Sequence, residues 1–277
     1  MSFVQTAPGR LDAEIRAVST KLVEVREASF QAPVILTTES AFPRFAIGMN
    51  LCGKSQLFGS PLTNSNVAYT NGRNGVFARV QGGSTWCNVS MDFELAEQVA
   101  ATHNYLIPSG DASCGLPIDT QNALVSRISL AAREQCFTEL TDAQLNDEIT
   151  LLILRTLNPP QKRGGVKLSE HYSVVQRIIE YIHAHYFDRM TVTGLCQLAD
   201  VSERTLQYVF LASTGLTVQQ YLMHYRLHRA HALLARGQVG QVKDAAQACG
   251  IQHTGRFSQY FKNLFGESPS QVMLSTK

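Results

Sequence analysis

Gln241 to Gln271 reads QVKDAAQACGIQHTGRFSQYFKNLFGESPSQ. Val242, Ala245, Ala246, Ala248 and Cys249 set small apolar side chains along a short helix. Gly250 takes a positive φ at no steric cost and ends that helix. Ile251 then plugs inward. Phe257 and Phe261, four apart, share one face of a second helix. Gly266 stops it, and Pro269 opens the next turn. Two short helices across a Gly turn, the second aromatic within and polar without, predict a helix-turn-helix.

The pattern has a copy upstream. Leu195, Cys196, Gln197 and Leu198 recur as Ala245, Ala246, Gln247 and Ala248, and Val201 recurs as Ile251. After a one-residue insertion, Leu206, Phe210, Gly215 and Gln220 recur as Phe257, Phe261, Gly266 and Gln271. The repeat holds at the apolar and Gly positions that build a fold. It differs at outward positions, Arg204 and Gln207 in one copy and Arg256 and Gln259 in the other.

The paired motifs, closed by FxxxFKxxFGxSPxQ from Phe257 to Gln271, resemble the DNA-binding domain of the AraC/XylS transcription regulators. The resemblance runs from about Tyr172 to Val272. The chain departs from the family at Tyr208, where Arg or a similar residue is usual, and at Leu211, where a basic residue is usual.

Length favours two domains. Formal net charge is only +2, but it is unevenly placed. Residues 167–277 hold 11 Lys and Arg against 7 Asp and Glu, and residues 1–166 hold 13 against 15. A mildly basic domain behind a mildly acidic one fits a DNA reader joined to a part that does not touch DNA. Cysteines at 52, 87, 114, 136, 196 and 249 form no CxxC. Two of them sit at small-apolar positions of the repeat. The set predicts a reducing compartment without a disulfide framework or zinc cluster. The first twenty residues lack the apolar core of a signal peptide. The longest aliphatic run is Leu151 to Leu154, too short for a membrane span. The expectation is a cytoplasmic protein with no membrane contact.

From Lys21 to Pro108 the period is two. Leu22–Val25, Val34–Leu36, Phe45–Leu51, Asn66–Tyr69, Gly75–Val80 and Ser84–Met91 read as strands between Gly, Asn and Pro clusters. They predict a small antiparallel sandwich or barrel. Asp92 is placed to cap a helix over Phe93–Ala101. A β-rich domain ahead of two helix-turn-helix motifs is similar to the cupin-like sensory domains of the same family. This half has one histidine, His103, so no mononuclear metal site or other cofactor is expected. A small effector would bind inside the barrel, with Tyr69, Phe77, Arg79 and Trp86 as candidate lining; strand aromatics also serve as plain core.

Residues 117–157 read as two amphipathic helices. Leu124, Ile128, Ala131 and Ala132 form one stripe. Leu145, Ile149, Leu152, Ile153 and Leu157 form a second, with Thr141 and Gln144 as a capping box. These helices pack on their own barrel or, as the resemblance implies, form a homodimer. Residues 158–166, NPPQKRGGV, read as a linker. The predicted organisation is therefore α+β: a cupin-like sensory and dimerisation domain over 1–157, then an all-α domain over 167–277 with two helix-turn-helix motifs.

The base-facing positions of the family fall on Arg204, Gln207 and Tyr208 in the first copy, and on Thr254, Arg256 and Gln259 in the second. Lys262 is placed to hold a phosphate. Arg suits guanine and Gln suits adenine. Val218 to Arg236 joins the two units, and Arg226 and Arg229 on it are placed to steady phosphates or pair with acids. His224, His228 and His231 share one side of that helix. Their i, i+4 spacing allows a metal, but no acidic or Cys partner stands nearby in sequence, and ordinary helix residues are expected.

The expected function is sequence-specific regulation of transcription, an activator with double-stranded DNA and RNA polymerase as partners and a small-molecule effector. A protein partner of the N-terminal domain would serve equally as the signal. A DNA-alkyl transferase fused to such a reader would need four clustered cysteines, which these spacings do not supply. No enzyme is expected.

Overall fold

The computed structural model describes residues 2–38, 44–57, 59–63, 66–70, 76–108, 112–115, 123–124, 126–127, 142–158 and 170–275. They divide into two compact units. One comprises Ala13–Gln31 and Leu36–Leu168; the other comprises Ser2–Asp12, Ala32–Ile35 and Ser169–Lys277. The predicted linker, the stripe residues Ile128, Ala131 and Ala132, and the cap Thr141 lie outside the described residues.

The first unit is built on antiparallel sheet. Its larger sheet uses β2 (Ala13–Ser19), β3 (Val23–Phe30), β5 (Arg44–Cys52), β8 (Asn66–Thr70), β10 (Ser84–Asp92) and β11 (Ala112–Gly115). Their order is β11-β8-β5-β10-β3-β2. Central β10 pairs with β3 through Val89↔Val25 and Met91↔Val23, and with β5 through Val89↔Ile47 and Met91↔Phe45. These partners point to one face, because side chains alternate along a strand. Helix α1 (Phe93–His103) and helix α2 (Asp142–Leu157) cover that face. They lay Leu95, Ala96, Val99, Leu145, Ile149 and Ile153 against Val25, Ile47, Met49, Val67 and Val89. Each fully buried aliphatic of this kind stabilises the unit by roughly 1.5–3 kcal/mol. Asp92 caps α1, its Oδ1 accepting from the N–H groups of Glu94 and Leu95.

The smaller sheet carries β4 (Val34–Thr38), β6 (Ser55–Leu57), β7 (Ser60–Leu62) and β9 (Val76–Val80). Within this unit its order is β4-β9-β6-β7. Asn50 of β5 bridges the two sheets from a buried position: its Nδ2 donates to the Leu62 carbonyl at 2.7 Å and its Oδ1 accepts from Ser55 Oγ. Sequence periodicity finds β3, β4, β5, β8, β9 and β10. It misses β2, almost wholly exposed, and the three-residue β6 and β7, too short to show a period.

The second unit is helical apart from β1 (Ser2–Gln5), which lies beside the start of β4. Its helices are α3 (Glu170–His185), α4 (Val192–Ala199), α5 (Glu203–Thr214), α6 (Val218–Ala235), α7 (Val242–Ala248), α8 (Thr254–Phe265) and α9 (Pro269–Leu274). Val175, Ile178, Ile179 and Ile182 form the inward stripe of α3 and are buried. Thr191, Ser202 and Thr217 cap α4, α5 and α6 by accepting from the third residue of the turn. Thr217 with Gln220 and Ser268 with Gln271 make matching capping boxes on α6 and α9. The capping box thus repeats, whereas α7 and α8 lack the side-chain caps of α4 and α5. Among the described residues, no helix is long and apolar enough to cross a membrane.

Candidate nucleic-acid interface

α5 and α8 are the second helices of the two motifs. Each has 12 residues and ends at a left-handed Gly, Gly215 at φ 75° and Gly266 at φ 77°. Leu206, Val209 and Phe210 bury the inner side of α5; Phe257, Phe261, Leu264 and Phe265 bury that of α8. With those faces fixed, the outward residues are fixed as well. On α5 they are Glu203, Arg204, Gln207, Tyr208 and Leu211; on α8 they are Gly255, Arg256, Ser258, Gln259 and Lys262. All the predicted DNA-facing side chains that are described stand exposed. Thr254 opens α8, and its side chain lies outside the described residues.

Aligning the two helices end to end corrects one pairing suggested by the sequence. Arg204 corresponds to Gly255, and Arg256 to Thr205; Tyr208 corresponds to Gln259, and Leu211 to Lys262. The fronts are related in position but not in chemistry. Gln207 is also engaged within its own helix, its Nε2 donating to Glu203 Oε1 at 2.8 Å. A groove of about 270 Å³ opens beside α8, with Arg189, Arg226, His253, Arg256 and Tyr260 in its lining.

The turn between α7 and α8 is sterically defined. Gly250 sits at φ 70°, and a Cβ there would lie 2.5 Å from the Phe187 carbonyl oxygen. The matching position of the first copy is Asp200, also left-handed at φ 54°. The arginines of α6 are engaged within the helical unit. Arg226 donates to the carbonyls of Tyr186 at 2.6 Å and Asp188 at 2.8 Å, just beyond the C-terminus of α3. Arg229 lies over the Tyr186 ring.

The three α6 histidines have partners that no sequence spacing suggests. His228 Nε2 accepts from the Gln5 N–H at 2.8 Å, and His224 Nδ1 lies 2.9 Å from the Gln5 carbonyl. The Gln5 side chain donates to the carbonyls of Ala7, Gly9 and Leu264. His231 stacks on Phe261, with Glu267 at 3.8 Å. Burial pushes His228 down to about 3 and lowers His224 and His231. His183 is pushed down to about 4 by burial, with Arg229 nearby, and meets the Tyr221 hydroxyl at 3.0 Å. Gln5 is the residue that sequence reasoning missed.

The candidate effector residues do not share one lining. Tyr69 opposes Ile47 and belongs to the helix-covered face. Trp86 opposes Ala28 and Asn50, on the other face of the same sheet. Arg79 and Phe77 alternate with Ala78 and Val80 along β9. Trp86 is buried, and its Nε1 meets no hydrogen-bond partner among the described residues.

Comparison with known proteins bears on the helical unit. A family described as a helix-turn-helix domain matches residues 195–274. The thc operon regulatory protein of Rhodococcus erythropolis is 34% identical over 100 residues, covering 35% of this chain and 30% of that protein. The transcriptional activator RhaS of Escherichia coli is 26% identical over 223 residues, covering 80% and 69%. A solved probable AraC family regulator from Rhodopseudomonas palustris is 30% identical over 38% of this chain and 98% of that one, at a TM-score of 0.37. Over its helical unit the chain is similar to these regulators of transcription. LumQ of Photobacterium leiognathi, 26% identical, aligns over 53% of the chain and 57% of its own length. The chain thus spans less than two thirds of LumQ and of the Rhodococcus protein.

Proposed function

We propose that this chain is a sequence-specific DNA-binding regulator of transcription, an activator and not an enzyme. The carrying observation is the pair of 12-residue helices, each ended by a left-handed Gly, whose outward faces hold Arg204, Gln207, Arg256, Gln259 and Lys262. Arg256 supplies a fork for guanine, Gln259 an amide for adenine, and Lys262 a charge for a phosphate; Thr254 begins the same helix. Arg204 and Gln207 do the like in the first copy, once Gln207 leaves Glu203. The 18 residues of α6 make a rod of about 27 Å, in the range that separates successive major-groove faces, about 34 Å. Relatives described as transcriptional activators support the sign of regulation. In this reading the sheets of the N-terminal unit take a small-molecule effector, residues 117–157 serve dimer formation, and RNA polymerase is the partner at the promoter.

Sites selected from random DNA test the reading. Arg256→Ala is expected to weaken the selected site by about 1–3 kcal/mol and to relax choice at one base. Unchanged preference overturns the role of Arg256, and failure to enrich any site overturns the reading. Trp86 is the only tryptophan of the chain, so its emission reports on the N-terminal unit directly. A metabolite that shifts both emission and DNA affinity identifies the effector. If DNA affinity answers only to an added protein, the signal is a protein.

A further inference from the structure

The first helix-turn-helix carries an apolar front. Tyr208 is 70% exposed and Leu211 is 49% exposed, three residues apart on α5 and in line with Arg204. Exposed side chains of this size, side by side, mark a contact surface. Their counterparts on α8 are Gln259 and Lys262, a hydrogen-bonding group and a charge. The lengths, buried faces and closing Gly of the two helices match, so both present these positions on the same side, although only α5 has a side-chain N-cap. Glu203 beside Arg204 leaves the front of α5 without net charge, whereas Arg256 and Lys262 make that of α8 basic.

In the major groove, the apolar feature that distinguishes one base pair from another is the C5-methyl group of thymine. Beside Arg204 and Gln207, the Tyr208 ring and the Leu211 side chain add to the α5 front apolar surface of the kind that meets methyl groups, which α8 lacks at the matching positions. We propose that α5 reads thymine methyl groups through Tyr208 and Leu211, while α8 reads its half of the site by hydrogen bonds and charge. This rests on the DNA-binding reading above and deepens it: the two halves of one operator are recognised by different chemistry. The alternative occupant of the patch is a protein such as the polymerase. Continuity with Arg204 and Gln207, and register with Gln259 and Lys262, favour DNA.

The test uses the full chain and its selected site. Each thymine is replaced in turn by deoxyuridine, which removes only the methyl group, and affinity is read by fluorescence anisotropy. Arg256→Ala first assigns the half under α8 by its lost preference. In the other half, deoxyuridine is expected to weaken binding about three- to fivefold per contacted methyl group; under α8 the change stays within about twofold. The variant Tyr208→Ala/Leu211→Ala should bring the thymine-to-deoxyuridine ratio near one, and Lys262→Ala should leave it intact. Both positions are exposed, and an unchanged melting transition confirms that the double variant folds. Ratios near one throughout the wild-type site overturn the inference, as does a ratio that survives in the double variant. If the double variant binds DNA as the wild type does but loses activation by polymerase, the patch belongs to a protein contact and the inference falls. Failure to enrich any DNA site overturns this inference together with the reading beneath it.

Discussion

The two helix-turn-helix copies share a skeleton and differ in what they hold out. Both second helices begin after a short turn, bury one aromatic or aliphatic face, and end at a left-handed Gly. The turns reach the left-handed conformation by different residues, Asp200 in the first copy and Gly250 in the second. The first copy shows Tyr208 and Leu211 where the second shows Gln259 and Lys262. A duplicated fold constrains the residues that pack and leaves the outward ones to diverge, so the copies keep one geometry and acquire two chemistries.

The largest effect that separates the copies lies in those turns. Gly250→Ala adds a Cβ at 2.5 Å from the Phe187 carbonyl oxygen, at a positive φ. A backbone oxygen cannot swing away as a side chain can. The expected loss of stability is more than about 3 kcal/mol. Asp200→Gly removes a side chain from a left-handed position and adds freedom to the unfolded chain; the two effects oppose, and the net change is expected within about 1 kcal/mol. Urea melts of both variants check the pair. A mild Gly250→Ala would show that the turn of the second copy can relax away from α3.

Acid should separate the copies next. The first leans on His183, stacked on Tyr225 and bonded to Tyr221, and the second on His228, packed edge-on to Phe265. The folded-state values of both lie below the ordinary 6.5, at about 4 and about 3. The unfolded chain therefore takes up protons that the folded chain refuses. Stability is complete above pH 6.5 and falls as the pH drops, through about 4 for His183 and about 3 for His228. The slope is about 1.4 kcal/mol per pH unit for each group. Comparing His183→Gln with His228→Gln over pH 7 to 4 apportions the loss. If neither variant flattens the profile, these histidines do not govern acid stability.

The helix-turn-helix repeat was legible because its signals are local. Gly, caps and apolar spacing all act within a turn or two of chain. Asp92 could be read as a cap for the same reason. What stayed hidden depends on distant pairing. The Gln5 peptide meets His224 and His228 more than 200 residues away, and neither the histidine spacing nor SFVQ hints at the other. For the α6 arginines the sequence offered phosphates or acids as partners; within the unit Arg226 meets the end of α3 and Arg229 the Tyr186 ring. The placing of the effector candidates depends on distant pairing too. Whether Tyr69 and Trp86 share a face depends on the register of β8, β5 and β10, and a shift of one residue would reverse it.

The smallest effect is electrostatic and tests the contrast most directly. Lys262 and Leu211 occupy matching positions, so exchanging their chemistry leaves the skeleton alone. Lys262→Leu should lower the slope of log affinity against log salt by about one, the signature of one lost phosphate contact. Leu211→Lys should raise it by a similar amount if α5 approaches the duplex as closely as α8 does. Salt titrations of the wild type, both single variants and the double variant then form a cycle. A slope that recovers in the double variant means that the two helices stand equally near the backbone and differ only in side chains. A Leu211→Lys variant without effect means that α5 stands farther from the phosphates, and that the asymmetry of the two copies extends from chemistry to placement.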